Sequence, residues 1–235
     1  MTDPRLAMLS DRIEAVEARI RAACDRAGRR REEVTLVAVT KTVSTEVASL
    51  LPELSLFHLG ESRPQELWRK AAALPPTIHW HLVGHFQRNK VGRTLAIVEL
   101  IHSGDSLRLL EALNEEAARR QAPVDALLEV NASREATKHG LAPQDVQGLA
   151  PLILGLQYVR VRGLMTMAAL GDDPERSRQT FASVRALRDR LQQELGSSLR
   201  LDHLSMGMSN DFEVAIEEGA TLVRIGTALF EEPVS

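Results

Sequence analysis

Apolar side chains follow two different periods along the chain. Leu6, Leu9, Ile13, Val16, Ile20 and Ala23 recur in steps of three and four, which draws one stripe down an amphipathic helix over residues 4–24. Such a stripe can seed a coiled coil, but three heptads followed by the charged run RRREE fit a surface helix packed on its own domain better. Beyond that run the period changes. VTLVAVT, residues 34–40, is β-branched, almost wholly apolar and too short for a helix, so it predicts a strand buried on both faces.

From there one unit repeats: a short apolar run, polar or glycine punctuation, then a helix-like stretch. The further runs are LFHLG (56–60), IHWHLV (78–83), IVELIHS (97–103), VDALLEV (124–130), YVRVRGLM (158–165), LRLDHLS (199–205) and LVRIG (222–226), eight in all with the first. The clearest helical stretches are 105–121 and 173–196, the second opening on Asp-Asp-Pro as an N-cap with proline in the first turn would. Strands alternating with helices imply right-handed crossovers and a parallel sheet. Eight such units within about 190 residues predict an α/β protein, a single (β/α)8 TIM-type barrel with an extra N-terminal helix. The rival is an open doubly wound sheet, whose Gly-x-Gly-x-x-Gly turn after the first strand is absent. No Pro/Gly/Ser linker divides the chain, so residues 1–235 read as one domain.

Composition narrows the function. With 44% hydrophobic and 26% charged residues the chain is globular, and a formal net charge of -3 gives no electrostatic footprint for nucleic acid or an anionic membrane. One cysteine, Cys24, excludes an internal disulfide framework and a cysteine-cluster zinc site. No apolar run approaches the roughly 20 residues of a membrane span, and the first residues lack the basic-then-apolar order of a secretory signal, so the expected location is the cytoplasm. Of 29 cationic residues only four are lysines: Lys41, Lys70, Lys90 and Lys138. A site that needs a neutral amine as nucleophile cannot use a guanidinium, so these four are the candidates for lysine chemistry. Lys70 lies in a helical stretch with nothing to single it out.

Barrel active sites are built at the carboxyl ends of the strands. There the chain places Lys41, Glu61 with Ser62, Gly84 with His85, Ser103 with Asp105, Asn131, Thr166, Ser205 through Ser209, and Gly226 with Thr227. Lys41 directly follows a buried strand and is expected to project into the mouth, partly desolvated and so a better nucleophile; the plainer reading is a lysine that snorkels to solvent. Ser205-Met206-Gly207-Met208-Ser209 follows run seven and leads into what reads as a helix start capped by Ser209, Asn210 or Asp211, while Arg224-Ile225-Gly226-Thr227 closes run eight. Barrels often hold phosphate in these two loops. A lysine after strand one and an anion cradle after strands seven and eight together describe a phosphorylated aldehyde held as a Schiff base, which means pyridoxal 5′-phosphate (PLP). Arg224 shares a strand face with Gly226 and can point inward beneath the cradle, where a guanidinium beside the pyridine nitrogen disfavours ring protonation and weakens the electron sink.

At these residues the sequence resembles the pyridoxal phosphate homeostasis proteins, whose barrel is that of the alanine racemase N-terminal domain. The resemblance runs through LVAVTK (36–41), HLGES with QE (58–66), WHLVGHFQRNK (80–90), LLEVN with KHG (127–140), VRGLMTM (161–167) and LSMGMSNDFEVAIEEGATLVRIGTALF (204–230). It implies that Lys41 is the Schiff-base lysine, that Ser209, Gly226 and Thr227 hold the phosphate, and that Arg224 lies near the pyridine nitrogen. The implied cofactor-binding set is Lys41, Ser62, Gly84, His85, Met165, Ser205, Met208, Ser209, Arg224, Gly226 and Thr227, with no catalytic residue and no metal ligand assigned. Lys90 and Lys138 lie in matched motifs at the rim or the phosphate region. Two positions depart from the family pattern: Ser62 stands where the family usually has Asn, and His85 stands where it has a small residue or Pro.

The resemblance further implies a monomeric carrier or buffer of PLP in the cytosol, with PLP-dependent apoenzymes as candidate recipients and no nucleic-acid or membrane partner. A racemase needs a base on each face of the substrate carbon. The chain ends nine residues after Gly226, without the second domain that supplies that base in alanine racemase; Tyr158 is expected at the bottom of the barrel and Cys24 in the first helix. His85 is the spare base, so a racemase or lyase remains the alternative. A metal enzyme built on His79 and His81 with His58 or His102 is a weaker reading, since alternate histidines in strands are more often packed or hydrogen-bonded and no acidic cluster accompanies them. A pure interaction module acting through the first helix is the last.

Overall fold

The computed structural model describes residues 4–132, 139–168 and 173–231. Eight parallel strands close into a barrel in chain order: β1 (Thr35–Val39), β2 (His58–Glu61), β3 (His79–Leu82), β4 (Val98–Gly104), β5 (Val124–Glu129), β6 (Val159–Met165), β7 (His203–Ser205) and β8 (Leu222–Ile225). The seam is shut by β1, where Ala38 faces Leu59 of β2 on one side and Ile225 of β8 on the other. Each of the eight apolar runs supplies one strand. Run seven pairs over only its last three residues because a side chain takes the rest of its backbone: Gln192 Nε2 donates to the Leu199 carbonyl and Gln192 Oε1 accepts from the Leu201 N–H.

The helices are α1 (Pro4–Arg26), α2 (Thr45–Ala48), α3 (Pro64–Ala71), α4 (Val91–Thr94), α5 (Leu107–Arg120), α6 (Pro143–Leu154), α7 (Glu175–Leu195), α8 (Phe212–Glu217) and α9 (Thr227–Phe230). Three of the crossovers, those carrying α2, α4 and α8, contain little more than one helical turn, which lets eight units fit so short a chain. Asp173 Oδ1 accepts from the Glu175 N–H at the start of α7, so the expected cap forms, while Asp172 lies outside the described residues.

Two apolar layers hold the barrel. Outward-facing strand residues such as Leu36, Ala38, Leu59, Trp80 and Leu82 pack under the helices, while Val37, Leu100, Leu127, Met165 and Leu222 fill the interior. Helix α1 lies on its own domain, burying Leu9, Val16, Ile20, Ala23 and Cys24 against α8 and α9. The arginine excess has work there that lysine does poorly. Arg29 Nη1 donates to two carbonyls, Ile216 in the last turn of α8 and Ala220 beyond it, and Arg178 bridges Glu175, Glu217 and Glu218.

Candidate functional site

The carboxyl ends of the strands open into a cavity of about 460 Å³. Of the expected residues, Lys41, Ser62, Gly84, His85, Met208, Ser209, Arg224, Gly226 and Thr227 line it. Met165 and Ser205 do not: Met165 is in the apolar interior layer, and Ser205 is buried below, bonded to Arg224 and His102. Lys90 does not line the cavity either; Lys138 lies outside the described residues.

Strand β1 ends at Val39, Thr40 is buried, and Lys41 occupies the turn that follows. Its side chain is solvent-exposed on the cavity wall rather than partly desolvated as the strand-end position suggests, because it sits two residues past the last ladder position. Behind it lies a residue the sequence left without a role. Lys70 on α3 is 1% exposed, and its Nζ donates to Glu61 Oε1 at 2.5 Å and to the Thr40 carbonyl at 2.6 Å. Thr40 Oγ1 also donates to Glu61 Oε1, at 2.7 Å. This knot fixes the end of β1 against the end of β2 and so sets where Lys41 begins. A signal was available: Pro64, Leu67 and Lys70 recur every third residue on the buried face of α3.

Gly84 is required by close approach. A Cβ there would lie 2.3 Å from the Ser62 carbonyl oxygen, so the loop after β2 can cross the end of β3 only over glycine. Gly207 has φ +91°, and a Cβ on it would meet Phe212 and Ala215 of α8 at under 3 Å. The capping expected of Ser209 and Asp211 is redirected. Ser209 Oγ accepts from the Ala228 N–H of α9, and the Asp211 carboxylate turns back to the Met208 N–H and to Ser177 Oγ. The loops after β7 and β8 are thereby tied to each other, as they are by the bond from the Arg224 N–H to the Gly207 carbonyl.

Arg224 points inward as expected. It is buried on the cavity floor, donating from Nη1 to Ser205 Oγ at 2.6 Å and from Nη2 to the Thr166 carbonyl at 3.0 Å. Burial lowers its pKa to about 10, against the opposing pull of Asp211 and Glu129, so it stays a cation at neutral pH. Below it a chain of imidazoles runs through the barrel: Ser205 Oγ to His102 Nδ1 at 2.7 Å, His102 Nε2 to His81 Nδ1 at 2.9 Å, and His81 Nε2 to His58 Nδ1 at 3.0 Å. His58 stacks on His79, which pairs with Glu99 at the far end. Burial pushes His81 down to about 3 and His102 well below the ordinary histidine value. Two neutral rings that share hydrogen bonds must be ordered, and Arg224 supplies the order because a guanidinium only donates. Ser205 accepts from it and gives its own proton to His102 Nδ1. His102 and His81 are then both protonated at Nε2, each donating to the Nδ1 of the next ring. His81 thus bonds to both His58 and His102, while His79 stacks on His58 and pairs with Glu99, so these rings spend their contacts on one another and on Glu99 rather than converging on one point.

Glu129, the last residue of β5, lines the same cavity and was also missed. Burial raises its carboxyl to about 7, helped by the charge of Asp105 and opposed by Arg224 and His85. Its signal lay in parity: within VDALLEV it shares a face with Leu127, which points into the barrel. Neither Tyr158 nor Cys24 lines the cavity; Cys24 is buried in α1.

A closed eight-stranded parallel barrel with a lysine after its first strand and a buried arginine in its last defines a class, the barrel of the alanine racemase N-terminal domain; the family model of that description matches residues 12–233. An alanine racemase of Clostridium difficile shares the fold at TM-score 0.74 and 16% identity over 96% of this chain and 58% of that one. A pyridoxal phosphate homeostasis protein of Aquifex aeolicus is 44% identical over 94% of this chain and 97% of its own length, and one from Pseudomonas aeruginosa is 40% identical over 96% of each. PipY of Synechococcus elongatus, solved with PLP bound, superposes at TM-score 0.83 with 32% identity, covering 94% of this chain and 99% of its own. The chain belongs to the pyridoxal phosphate homeostasis protein family.

Proposed function

We propose that this protein binds PLP covalently as a Schiff base on Lys41 and acts as a cytoplasmic, monomeric carrier or buffer of the cofactor, with PLP-dependent apoenzymes as its recipients. The observation that carries the reading is the position of Lys41: an exposed amine on the wall of a 460 Å³ cavity whose other walls offer the hydroxyls of Ser209, Thr227 and Ser62 and whose floor is a fixed guanidinium. That donor set fits a phosphorylated pyridine aldehyde, and the volume is in the range of small-molecule sites. Bound, the cofactor supplies an electrophilic aldehyde carbon and a ring able to withdraw electrons. The protein's part is to place an amine, to offer Ser209 and Thr227 to the phosphate, and to keep Arg224 charged. As a donor without a lone pair, Arg224 can only donate to an unprotonated ring nitrogen and cannot accept a hydrogen bond from a protonated one, which weakens the electron sink and favours holding over transamination. No helix among the described residues is long and apolar enough to cross a membrane.

The test is direct. Purified protein should be yellow, and borohydride reduction should place the mass of reduced PLP on the peptide containing Lys41 and abolish further exchange. Mass on the peptide of Lys90 or Lys138, or on none, overturns the assignment.

A racemase or lyase is the second reading, favoured by one feature: His85 and Glu129 both stand on the cavity wall, and His85 Nδ1 is 2.8 Å from Asp105 Oδ2. Incubation with L-alanine in deuterium oxide separates the two. The carrier leaves the Cα proton in place, whereas steady exchange abolished by His85→Ala establishes the enzyme.

A further inference from the structure

The mouth of the barrel has two halves. In a closed ring of eight, the strands that offer Lys41, Ser209 and Thr227 are β1, β7 and β8, and across from them lie the ends of β3, β4 and β5. Each of these three successive strand ends brings one metal-ligating side chain to the same point: His85 after β3, Asp105 after β4, and His139 beyond β5. One ligand atom from each lies within 4.8 Å of the other two. The His85 and His139 rings are stacked, centroids 4.3 Å apart and planes 17° from parallel, and His85 Nδ1 is already 2.8 Å from the Asp105 carboxylate.

We propose that His85, Asp105 and His139 bind one divalent transition-metal ion, Zn²⁺, at the rim of the cavity. Imidazole nitrogen and carboxylate oxygen sit about 2.0–2.2 Å from zinc, so neighbouring tetrahedral donors are about 3.4 Å apart. Both histidines are exposed, and small rotations of their rings close the present triangle to that size. Asp105 is held for the role, since its other oxygen accepts from Ser106 Oγ at 3.0 Å. Two nitrogens and one carboxylate select a borderline transition ion over Mg²⁺ or Ca²⁺, which take oxygen ligands. Three protein donors leave at least one position open, and because His85 and His139 line the cavity, that position faces it. Water or an oxygen donor of a bound small molecule would fill it. Little in the chain marks this site, because the three residues are 20 and 34 positions apart and only the closure of the barrel joins them.

Isothermal titration of the purified protein with Zn²⁺ tests the site. The expected result is one ion per chain at micromolar affinity or tighter, no heat with Mg²⁺, and a visible d–d spectrum with Co²⁺ of four- or five-coordinate intensity. His85→Ala and His139→Ala should each weaken Zn²⁺ by about tenfold or more, and Asp105→Asn by a similar factor. His79→Ala, which alters the exposed histidine paired with Glu99 at the opposite end of the barrel, should leave the isotherm unchanged. Absence of saturable one-to-one uptake, survival of uptake in the His85→Ala/His139→Ala protein, or its loss in His79→Ala would each overturn the proposal. The Lys41→Met protein should retain the isotherm, so failure of the covalent cofactor assignment and failure of the metal site are read separately.

Discussion

Two lysines meet at the end of the first strand, and they live in opposite worlds. Lys70 comes from behind, 1% exposed, with its ammonium committed to Glu61 and to the Thr40 carbonyl. Lys41 is the next residue along from Thr40, exposed at the front, and among the described residues it makes no hydrogen bond or ion pair. The difference teaches why the front amine is available. Glu61, at the end of the neighbouring strand β2, is already paired with Lys70, so it does not bind Lys41. One lysine builds the position and the other uses it.

Removing each cation in turn breaks that comparison most forcefully. Lys70→Met leaves the Glu61 carboxylate buried without a counter-charge, a change that costs about 3–5 kcal/mol in comparable settings. Urea denaturation should show it as a large drop in midpoint, and adding Glu61→Gln, which removes the stranded charge, should recover much of the loss. Lys41→Met should leave the midpoint of the cofactor-free protein where it was while eliminating covalent PLP. Equal midpoints for the two single variants would mean that the buried pair contributes nothing and that the two lysines do not differ in role.

Much of this was legible in the chain. Short apolar runs located all eight strands because parallel barrel strands are buried on both faces and so carry a nearly unbroken signal. Lys41 and Arg224 could be read because each is fixed by position relative to a strand end. Lys70 was hidden because a polar residue on a helix is ordinarily solvent-facing, and only its spacing from Leu67 marked the buried face. Glu129 was hidden because attention falls on residues after a strand, whereas parity turns the last strand residue inward. Ser209 and Asp211 looked like caps for α8; their partners, Ala228, Met208 and Ser177, include residues 19 and 34 positions away, which no local pattern contains. The imidazole chain needs β2, β3 and β4 side by side, and Ser205 of β7 reaching them across the barrel, to exist at all.

That chain supplies the next test, because it buries polar groups by keeping them neutral where the Lys70 knot pairs opposite charges. His81 is depressed to about 3 and His102 lies well below 6.5. In the fold both stay unprotonated, while the unfolded chain takes up their protons below about 6.5, so stability is lost as pH falls through that value. Each contributes a slope of about 1.4 kcal/mol per pH unit between pH 6.5 and the folded value. His81→Gln keeps a donor and an acceptor in the chain but removes one proton. Denaturation midpoints at pH 7, 6 and 5 should therefore fall less steeply in the variant, by about that amount per unit. An unchanged slope would mean that His81 is already charged in the fold.

Glu129 gives the smallest effect and the opposite sign. Its carboxyl is raised from 4.5 to about 7 by burial and by Asp105, so between those values the folded protein holds a proton that the unfolded chain has released. The stability this gives is fully present below pH 4.5 and disappears as pH rises through 7, which offsets the slope of one buried histidine over the shared window. Glu129→Gln removes the offset while preserving shape, so its midpoints at pH 7, 6 and 5 should fall more steeply than those of the unaltered chain, by at most about 1.4 kcal/mol per unit. His81→Gln flattens the acid limb and Glu129→Gln steepens it, although both variants delete one buried titrating side chain. If both moved the slope in the same direction, the interior histidines and the carboxylate at the mouth would be responding to general loss of packing rather than to their own protons.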